Sequence, residues 1–422
     1  MKRYTTIFAP LVLGAVFFGC TTKPPHVTAF ASAEKLPTGV TVNGVEVGGL
    51  RYPAAKKRVR DRLTAETPVL TVETPDTAYL FRYPEVTFTD DLERLLPKIK
   101  SAGAYETTVT YSLCGLEACA ALITANVSKG AWNAETSFSA DGFSYTQERA
   151  GIAADEERLV REITDSLTGK IVENAGERRF PTVRVKTEKI TPQRTLDQAK
   201  KDTVRLASFT TCFSSEDRGR CGNIRLAAQK IDGTTLPSGG VFSFNKTVGA
   251  RTRERGFYPA KIISGGEFVE GVGGGVCQVS TTLYNAAVLS GLEIVEQRAH
   301  SLAVGYVPPS RDAMVSSLSD FRFRNPHPFP VYLAVKVREN SIVAIVYGRD
   351  EGISYAIVSE KIAEIPPPAP KVDETAPPRT GRAGLKSAAY LETYRFGKLV
   401  NRKKLRSDTY APLRGVVGKT EE

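Results

Sequence analysis

Cys277, His300 and Asp312 are the side chains whose types and order could do chemistry together. Cys277 follows the glycines 273–275 at a predicted helix start, where unpaired N–H groups and the helix dipole lower a thiol's pKa. His300, on the strand predicted next, can accept the thiol proton. Asp312, or Asp320 as a substitute, can then orient the imidazole. This order predicts Cys-dependent acyl transfer or amide hydrolysis.

A helix after the glycines must position the cysteine. Its apolar residues recur at helical spacing from Val279 to Ala287, so one face is expected to be buried, and Gly291 suits the C-terminal cap. The flexible glycines let the backbone approach a ligand closely. The residues predicted to contact that ligand are Gly274, Gly275, Gln278, Ser280 and Thr281.

Two other interpretations of this stretch stay open. The same residues could form a ligand pocket without catalysis, or Cys277 could be a small buried hydrophobe and His300 a structural side chain. A metal site is a minor variant, because no closely spaced second His or Cys accompanies Cys277. The prediction therefore includes no metal and no cofactor, and it leaves enzymatic activity undecided.

Composition limits the class of protein. A chain of 422 residues exceeds one ordinary core, and its 41% hydrophobic and 24% charged residues are typical of soluble globular domains. The net charge of +11 favours anionic partners. Nucleic acid is not predicted, since no phosphate-binding glycine loop or zinc-finger spacing is present in the sequence.

The first residues predict export. Basic residues precede an apolar run from Ile7 to Gly19 that is too short to span a bilayer, and Cys20 follows it. We expect a lipoprotein signal peptide at residues 1–20, with lipid on Cys20 and a tether at 21–37, although Phe17 stands where leucine is usual. The alternatives are an ordinary signal peptide cut elsewhere or an uncleaved anchor. The predicted location is membrane-anchored, facing the cell wall or periplasm.

The six cysteines fit such a compartment. Close pairs in an exported protein predict local disulfides, and reduced thiols or half a metal site are the alternative. The predicted disulfides join Cys114 to Cys119 and Cys212 to Cys221. With Cys20 lipidated, Cys277 would remain as the free thiol.

The N-terminal region mixes strands and helices. Asn43-Gly44 between alternating valines predicts a hairpin, and a basic helix follows it. VNGVEVGGL at 42–50 and FSYTQERAGIAAD at 143–155 resemble the peptidoglycan-binding domain that often precedes bacterial wall-modifying modules. This resemblance implies a peptidoglycan-binding region at residues 38–190.

The central segment carries a sharper resemblance. NIRLAAQKIDGTTLPSGGVFSFNKTVG, GGEFVEGVGGGVCQVSTTLYNAAVLSGLEIVEQRAHS and DFRFRNPHPFPVYLAV resemble the VanW family nearly end to end. That family is named from a glycopeptide-resistance gene cluster and occurs in exported, wall-associated proteins. The resemblance implies a central α+β domain at residues 195–347 and assigns no activity to it.

The last segment is basic. A Pro-rich linker is predicted at residues 348–380, followed by a small β-rich module at 381–422 with Gly397 at a hairpin turn. The module resembles a glycine-named wall-binding domain that commonly follows this family's domain. A solvated basic tail is the alternative.

The sequence as a whole predicts a multidomain α+β lipoprotein of the bacterial envelope that binds peptidoglycan or wall peptides. A Cys-His site in the central domain could act on the peptide stems. The alternative is a non-catalytic scaffold that positions cell-wall synthesis or glycopeptide-resistance machinery. The oligomeric state is not predicted.

Overall fold

The computed structural model describes residues 3–5, 34–174, 176–264, 267–373 and 378–417. The chain forms two compact units. The first holds residues up to Trp132 together with Arg149–Pro192, and the second holds Asn133–Glu148 and the chain from Gln193 onward. Helices and strands are mixed in both units, which confirms the predicted α+β class.

The helices in chain order are α1 (Tyr52–Ala65), α2 (Leu92–Leu95), α3 (Leu116–Val127), α4 (Glu156–Thr168), α5 (Leu196–Lys201), α6 (Arg218–Ile231), α7 (Phe244–Val248) and α8 (Val276–Leu289). The strands are β1 (Arg3–Thr5), β2 (Val40–Val42), β3 (Val45–Glu46), β4 (Leu70–Glu73), β5 (Thr77–Phe81), β6 (Val86–Asp90), β7 (Gly103–Tyr105), β8 (Val109–Leu113), β9 (Glu135–Ser139), β10 (Gly142–Thr146), β11 (Gly151–Ala154), β12 (Val172–Asn174), β13 (Glu177–Arg179), β14 (Val183–Arg184), β15 (Thr187–Ile190), β16 (Val204–Cys212), β17 (Thr234–Leu236), β18 (Val241–Ser243), β19 (Pro259–Ser264), β20 (Glu267–Val272), β21 (Glu293–Glu296), β22 (Arg322–Arg324), β23 (Val331–Val337), β24 (Ser341–Gly348), β25 (Ile353–Ile365), β26 (Lys371–Val372), β27 (Gly384–Arg395), β28 (Lys398–Tyr410) and β29 (Val416–Val417).

The first unit is built from small sheets around two apolar cores. The hairpin predicted at Asn43-Gly44 is confirmed, because both residues have positive φ, 48° and 72°, between β2 and β3. The larger core packs α3 and α4 against the sheet β1-β5-β4-β14. Asp155 caps α4 by accepting the N–H of Arg158 at 3.0 Å, as the acidic residues at its start predict.

The second unit is organised around the antiparallel sheet β16-β24-β23-β17. Residues of β24 are alternately buried, whereas the first five residues of β23, Val331 to Val335, are all buried. Helix α6 packs on β23, and α8 packs on β16 and β24. A single apolar core joins these elements, so the sheet provides a rigid platform for the start of α8.

The C-terminal strands belong to the same unit. Strands β25, β27 and β28 form a three-stranded sheet, and the turn between β27 and β28 contains Gly397 (φ 77°), as predicted. Strand β25 occupies much of the segment 348–380 that the sequence predicts as a linker. Its residues Tyr355 and Ile357 pack on the central core. Burial of these apolar side chains is favourable, so this part of the segment folds onto the domain and does not act as a linker.

The predicted disulfides are absent from the structure, where all four cysteines are free. The thiol of Cys119 donates to the carbonyl oxygen of Cys114 at 3.9 Å, and the buried thiol of Cys221 donates to Ser214 O at 3.5 Å. Each helical cysteine thus directs its sulfur toward a backbone carbonyl and forms no bond to the sulfur of its predicted partner.

The predicted signal peptide, Cys20 and most of the tether lie outside the described residues, apart from the strand Arg3–Thr5 and residues 34–37. Among the described helices, none has the length and apolar character needed to cross a membrane.

Candidate active site

The start of α8 is shaped by the glycines, as predicted. Gly273 (φ 91°) and Gly275 (φ 99°) adopt left-handed conformations, and Gly275 is the N-cap of the helix. Gly274 packs so closely that an added Cβ would lie 2.6 Å from the carbonyl oxygen of Lys261. Cys277 is therefore the second helical residue, in the first turn of the helix. Its side chain is partly exposed.

His300 and Asp312 are paired. The Nδ1 atom of His300 lies 2.6 Å from Asp312 Oδ2, and the backbone N–H of His300 donates to the same oxygen at 2.7 Å. His300 lies in an irregular segment beyond β21, whereas the sequence predicts a strand there. The bridge between Arg298 and Met314 brings the two segments together.

Asp320, the predicted substitute, has another role. Its carboxylate accepts the hydroxyl of Ser243 at 2.5 Å and the N–H of Asn245 at 2.8 Å, at the start of α7. The structure therefore selects Asp312 as the carboxylate that orients His300.

The thiol of Cys277 is the third member of this group of side chains. His300 lies close enough to Cys277 to interact with its thiol and to lower the pKa of that thiol. The sulfur also lies 3.3 Å from Val315 O and 3.5 Å from Val315 N. The hydrogen-bonded pair of His300 and Asp312 therefore lies beside the thiol of Cys277.

The electrostatics favour a thiolate–imidazolium pair. Burial would raise the pKa of Cys277, but the hydrogen bond and charge of His300 outweigh burial and lower it. Burial would lower the pKa of His300, yet its bonds to Asp312 and Cys277 raise this pKa to about 9. Burial likewise opposes the charge on Asp312, and the hydrogen bond from His300 more than compensates and lowers its pKa.

Three of the predicted ligand contacts are buried polar side chains of α8. Ser280 Oγ donates to Ala313 O at 2.6 Å, and the N–H of Ala313 donates to Thr281 Oγ1 at 3.0 Å. Gln278 Nε2 donates to Cys212 O at 2.8 Å. Ser280 and Thr281 therefore hold the residue next to Asp312 against α8. Such contacts explain why the helix is buried on nearly all sides, whereas the sequence predicts one buried face.

Sequence reasoning missed two residues of β28. Tyr410 OH donates to Asp312 Oδ1 at 2.6 Å, and Arg406 Nη1 donates to Asp312 O at 2.9 Å. Tyr410 is 98 residues from Asp312 in the chain, and no local pattern links them.

Arg251 was also missed. Its Nη1 donates to Asn245 Oδ1 at 2.8 Å, while its Nη2 is buried and has no hydrogen-bond partner in the described part of the chain. The charge of Arg251 contributes to the low pKa of Cys277, after the larger effects of burial and His300. Arg251 thus places a fixed positive charge near the thiol.

A cavity of about 540 Å³ lies beside this site. Its wall includes residues 210–214, Arg220, Gln278 and Tyr306. Because Gln278 directly follows Cys277 in the first turn of α8, the cavity lies near the start of this helix. No cluster of three His, Cys, Asp or Glu residues that could hold a metal occurs within the described ranges.

Comparisons with known proteins cover this region. The family model described as "VanW like protein" matches residues 219–347, which include Cys277, His300 and Asp312. An uncharacterized protein of Bacillus subtilis (strain 168), YoaR, is 41% identical over 165 residues, which are 39% of this chain and 52% of the relative. The match therefore spans about half the length of that relative.

Two solved structures align with short parts of the chain. A G5 domain of an IgA1 protease is 18% identical over 17% of this chain and 93% of its own, with a TM-score of 0.12. The domain HP0197-G5 is 16% identical over 16% of this chain and 99% of its own, with a TM-score of 0.09. At these scores, neither likeness bears on the second unit's chemistry. The segment 219–347 is therefore a VanW-like domain, as the resemblance of the central region predicts.

Proposed function

We propose that the second unit is a cysteine-dependent acyltransferase or amidase with Cys277 as its nucleophile. The observation that carries the proposal is the pair of His300 Nδ1 and Asp312 Oδ2, 2.6 Å apart, beside the thiol of Cys277. An arrangement of nucleophile, base and orienting carboxylate is the general requirement for covalent acyl transfer.

The reaction follows from this geometry. The thiolate of Cys277 attacks an acyl carbonyl and forms a carbon–sulfur bond, while the imidazolium of His300 gives its proton to the departing amine. His300 then takes a proton from water or an acceptor amine, which attacks the thioester. The carbon–sulfur bond breaks, the acyl group leaves on its acceptor, and Cys277 and His300 return to the thiolate–imidazolium pair. Asp312 holds the imidazole in one orientation throughout.

The proposed substrate is the peptide stem of peptidoglycan. The net charge of +11 suits an anionic polymer, and the VanW resemblance points to exported wall-associated proteins. Export with lipid attached at Cys20 belongs to the same proposal. Incorporation of labelled palmitate in wild-type cells, with none in a Cys20→Ala strain, would test the anchor.

The test of function uses the purified full chain and purified sacculi. Soluble products are separated by chromatography and identified by mass spectrometry for the wild type, Cys277→Ala and Cys114→Ser. Cys114 is exposed and lies in the first unit, so it is the matched control. We expect peptide cleavage or exchange by the wild type and Cys114→Ser, and none by Cys277→Ala.

A second readout needs no natural substrate. Incubation with p-nitrophenyl acetate should leave an acetyl group on Cys277, detectable by peptide mass spectrometry. Turnover that survives in Cys277→Ala would refute the nucleophile. Sacculus binding that Cys277→Ser leaves unchanged, with no product and no acetyl adduct, would favour the scaffold instead.

A further inference from the structure

The cavity beside Cys277 follows the open edge of a sheet. Strand β16 is an edge strand of the sheet β16-β24-β23-β17. Five consecutive residues, 210–214, line the cavity. One face of a strand presents only alternate side chains, so a continuous run indicates that the cavity lies along the strand's backbone.

The hydrogen-bond pattern shows which backbone groups face outward. Phe213 N donates to Asn340 O at 2.8 Å, in register with the pairing of Cys212 and Ser341. Residues 213, 211 and 209 therefore bond to β24, and Thr210 and Cys212 point their N–H and C=O groups away from it. The side chain of Gln278 confirms this orientation, because it reaches the outward carbonyl of Cys212 at 2.8 Å.

A positive charge lies at the same wall. Arg220 Nη2 donates to Gln278 Oε1 at 2.6 Å, which fixes the guanidinium beside the residue that follows Cys277. Within the described ranges, no carboxylate lies within 4.0 Å of this guanidinium. A ligand carboxylate would supply the partner that Arg220 lacks.

We propose that the open edge of β16 binds an extended peptide by strand addition, with a carboxylate of that peptide on Arg220. The outward N–H and C=O of Thr210 and the N–H of Cys212 would pair with the peptide backbone. The peptide would then pass the start of α8, next to Cys277. The inference rests on the proposed function and names its substrate class: an extended, carboxylate-bearing peptide.

Binding is measured without chemistry, in the full chain carrying Cys277→Ala. The probe is a fluorescein-labelled L-Ala–γ-D-Glu–L-Lys–D-Ala–D-Ala peptide, followed by fluorescence anisotropy. Thr210→Pro removes one outward N–H at an edge position where proline is tolerated. Ser208→Pro is the matched control, because Ser208 also points outward but does not line the cavity.

We expect Thr210→Pro to raise the Kd about tenfold, the equivalent of one well-formed hydrogen bond, and Ser208→Pro to leave it unchanged. Arg220→Gln and amidation of the peptide carboxylates should each weaken binding, and together they should weaken it no further than either alone. Equal affinity for Thr210→Pro and its control, or no binding of the probe to the folded protein, would overturn the inference.

A second measurement does not depend on the variants folding. N-methylation of successive amides in the part of the probe after the γ-D-Glu linkage should weaken binding only at alternate positions, because alternate N–H groups face the edge strand. A uniform effect along the peptide would contradict strand addition. If N-methylation weakens binding at alternate positions but Cys277 is not acetylated, the proposed function alone is refuted. If Cys277 is acetylated but N-methylation has no alternating effect, this inference alone is refuted.

Discussion

The hydroxyl of Tyr410 donates to Asp312 Oδ1 at 2.6 Å, and both side chains are buried. Tyr410 ends β28, outside the segment 219–347 matched by the family model, whereas Asp312 lies inside it. His300 occupies the other carboxylate oxygen. The C-terminal sheet therefore completes the environment of the carboxylate that orients the base.

Tyr410→Phe tests this relationship through stability. The change leaves Asp312 Oδ1 buried without its donor, so we expect the free energy of unfolding in urea to fall by about 1.5–3 kcal/mol. Tyr394→Phe is the control, since Tyr394 donates to Glu392 at 2.7 Å from a much more open part of the same sheet. Equal unfolding midpoints for wild type and Tyr410→Phe would show that this bond contributes nothing.

The pH dependence of Cys277 tests the ion pair. Its lowered pKa predicts that iodoacetamide labels the thiol below pH 9.0, the ordinary thiol value. Because the pKa of His300 is raised to about 9, the imidazolium is lost as pH rises through about 9, so acyl transfer should decline there. His300→Gln should move the labelling midpoint upward. A midpoint that is the same in both proteins would argue against the pair.

Asp312→Asn tests the source of the raised His300 pKa. The amide keeps the shape but removes the charge, so the His300 pKa should fall below about 9. The chain has three histidines, which makes NMR titration of labelled imidazoles practical, with His300→Gln assigning the signal. Hydrolysis of p-nitrophenyl acetate should fall by about 10³–10⁴-fold. An unchanged titration would exclude Asp312 as the cause.

Variants of Arg251 distinguish the effect of its charge on Cys277 from the effect of its hydrogen bonds. Arg251→Met removes a charge that lowers the pKa of Cys277, so labelling at pH 7 should slow and its midpoint should rise. Arg251→Lys keeps the charge and should retain most of the labelling rate. If the two variants behaved alike in stopped-flow labelling, the charge of Arg251 would not be what matters.

Local patterns in the sequence were sufficient for helix α8, but not for the segment of His300, which is irregular where a strand was predicted. The glycines before Cys277 and the helical spacing after it predict α8, because positive φ and amphipathic periodicity are properties of adjacent residues. Cys277, His300 and Asp312 are brought together as their order predicts. The choice of Asp312 over Asp320 was left open, since both lie downstream of His300 and only their partners distinguish them.

Contacts between segments far apart in the sequence were decided by the tertiary structure alone. Tyr410, Arg406 and Arg251 reach the site through the packing of β28 and the loop after α7, and no local periodicity encodes such contacts. The same holds for the segment predicted as a linker, where β25 pairs with β27. Sequence determined which side chains could react, through residue type and local conformation. Packing determined their protonation, because burial and hydrogen-bond partners set the pKa values of Cys277 and His300.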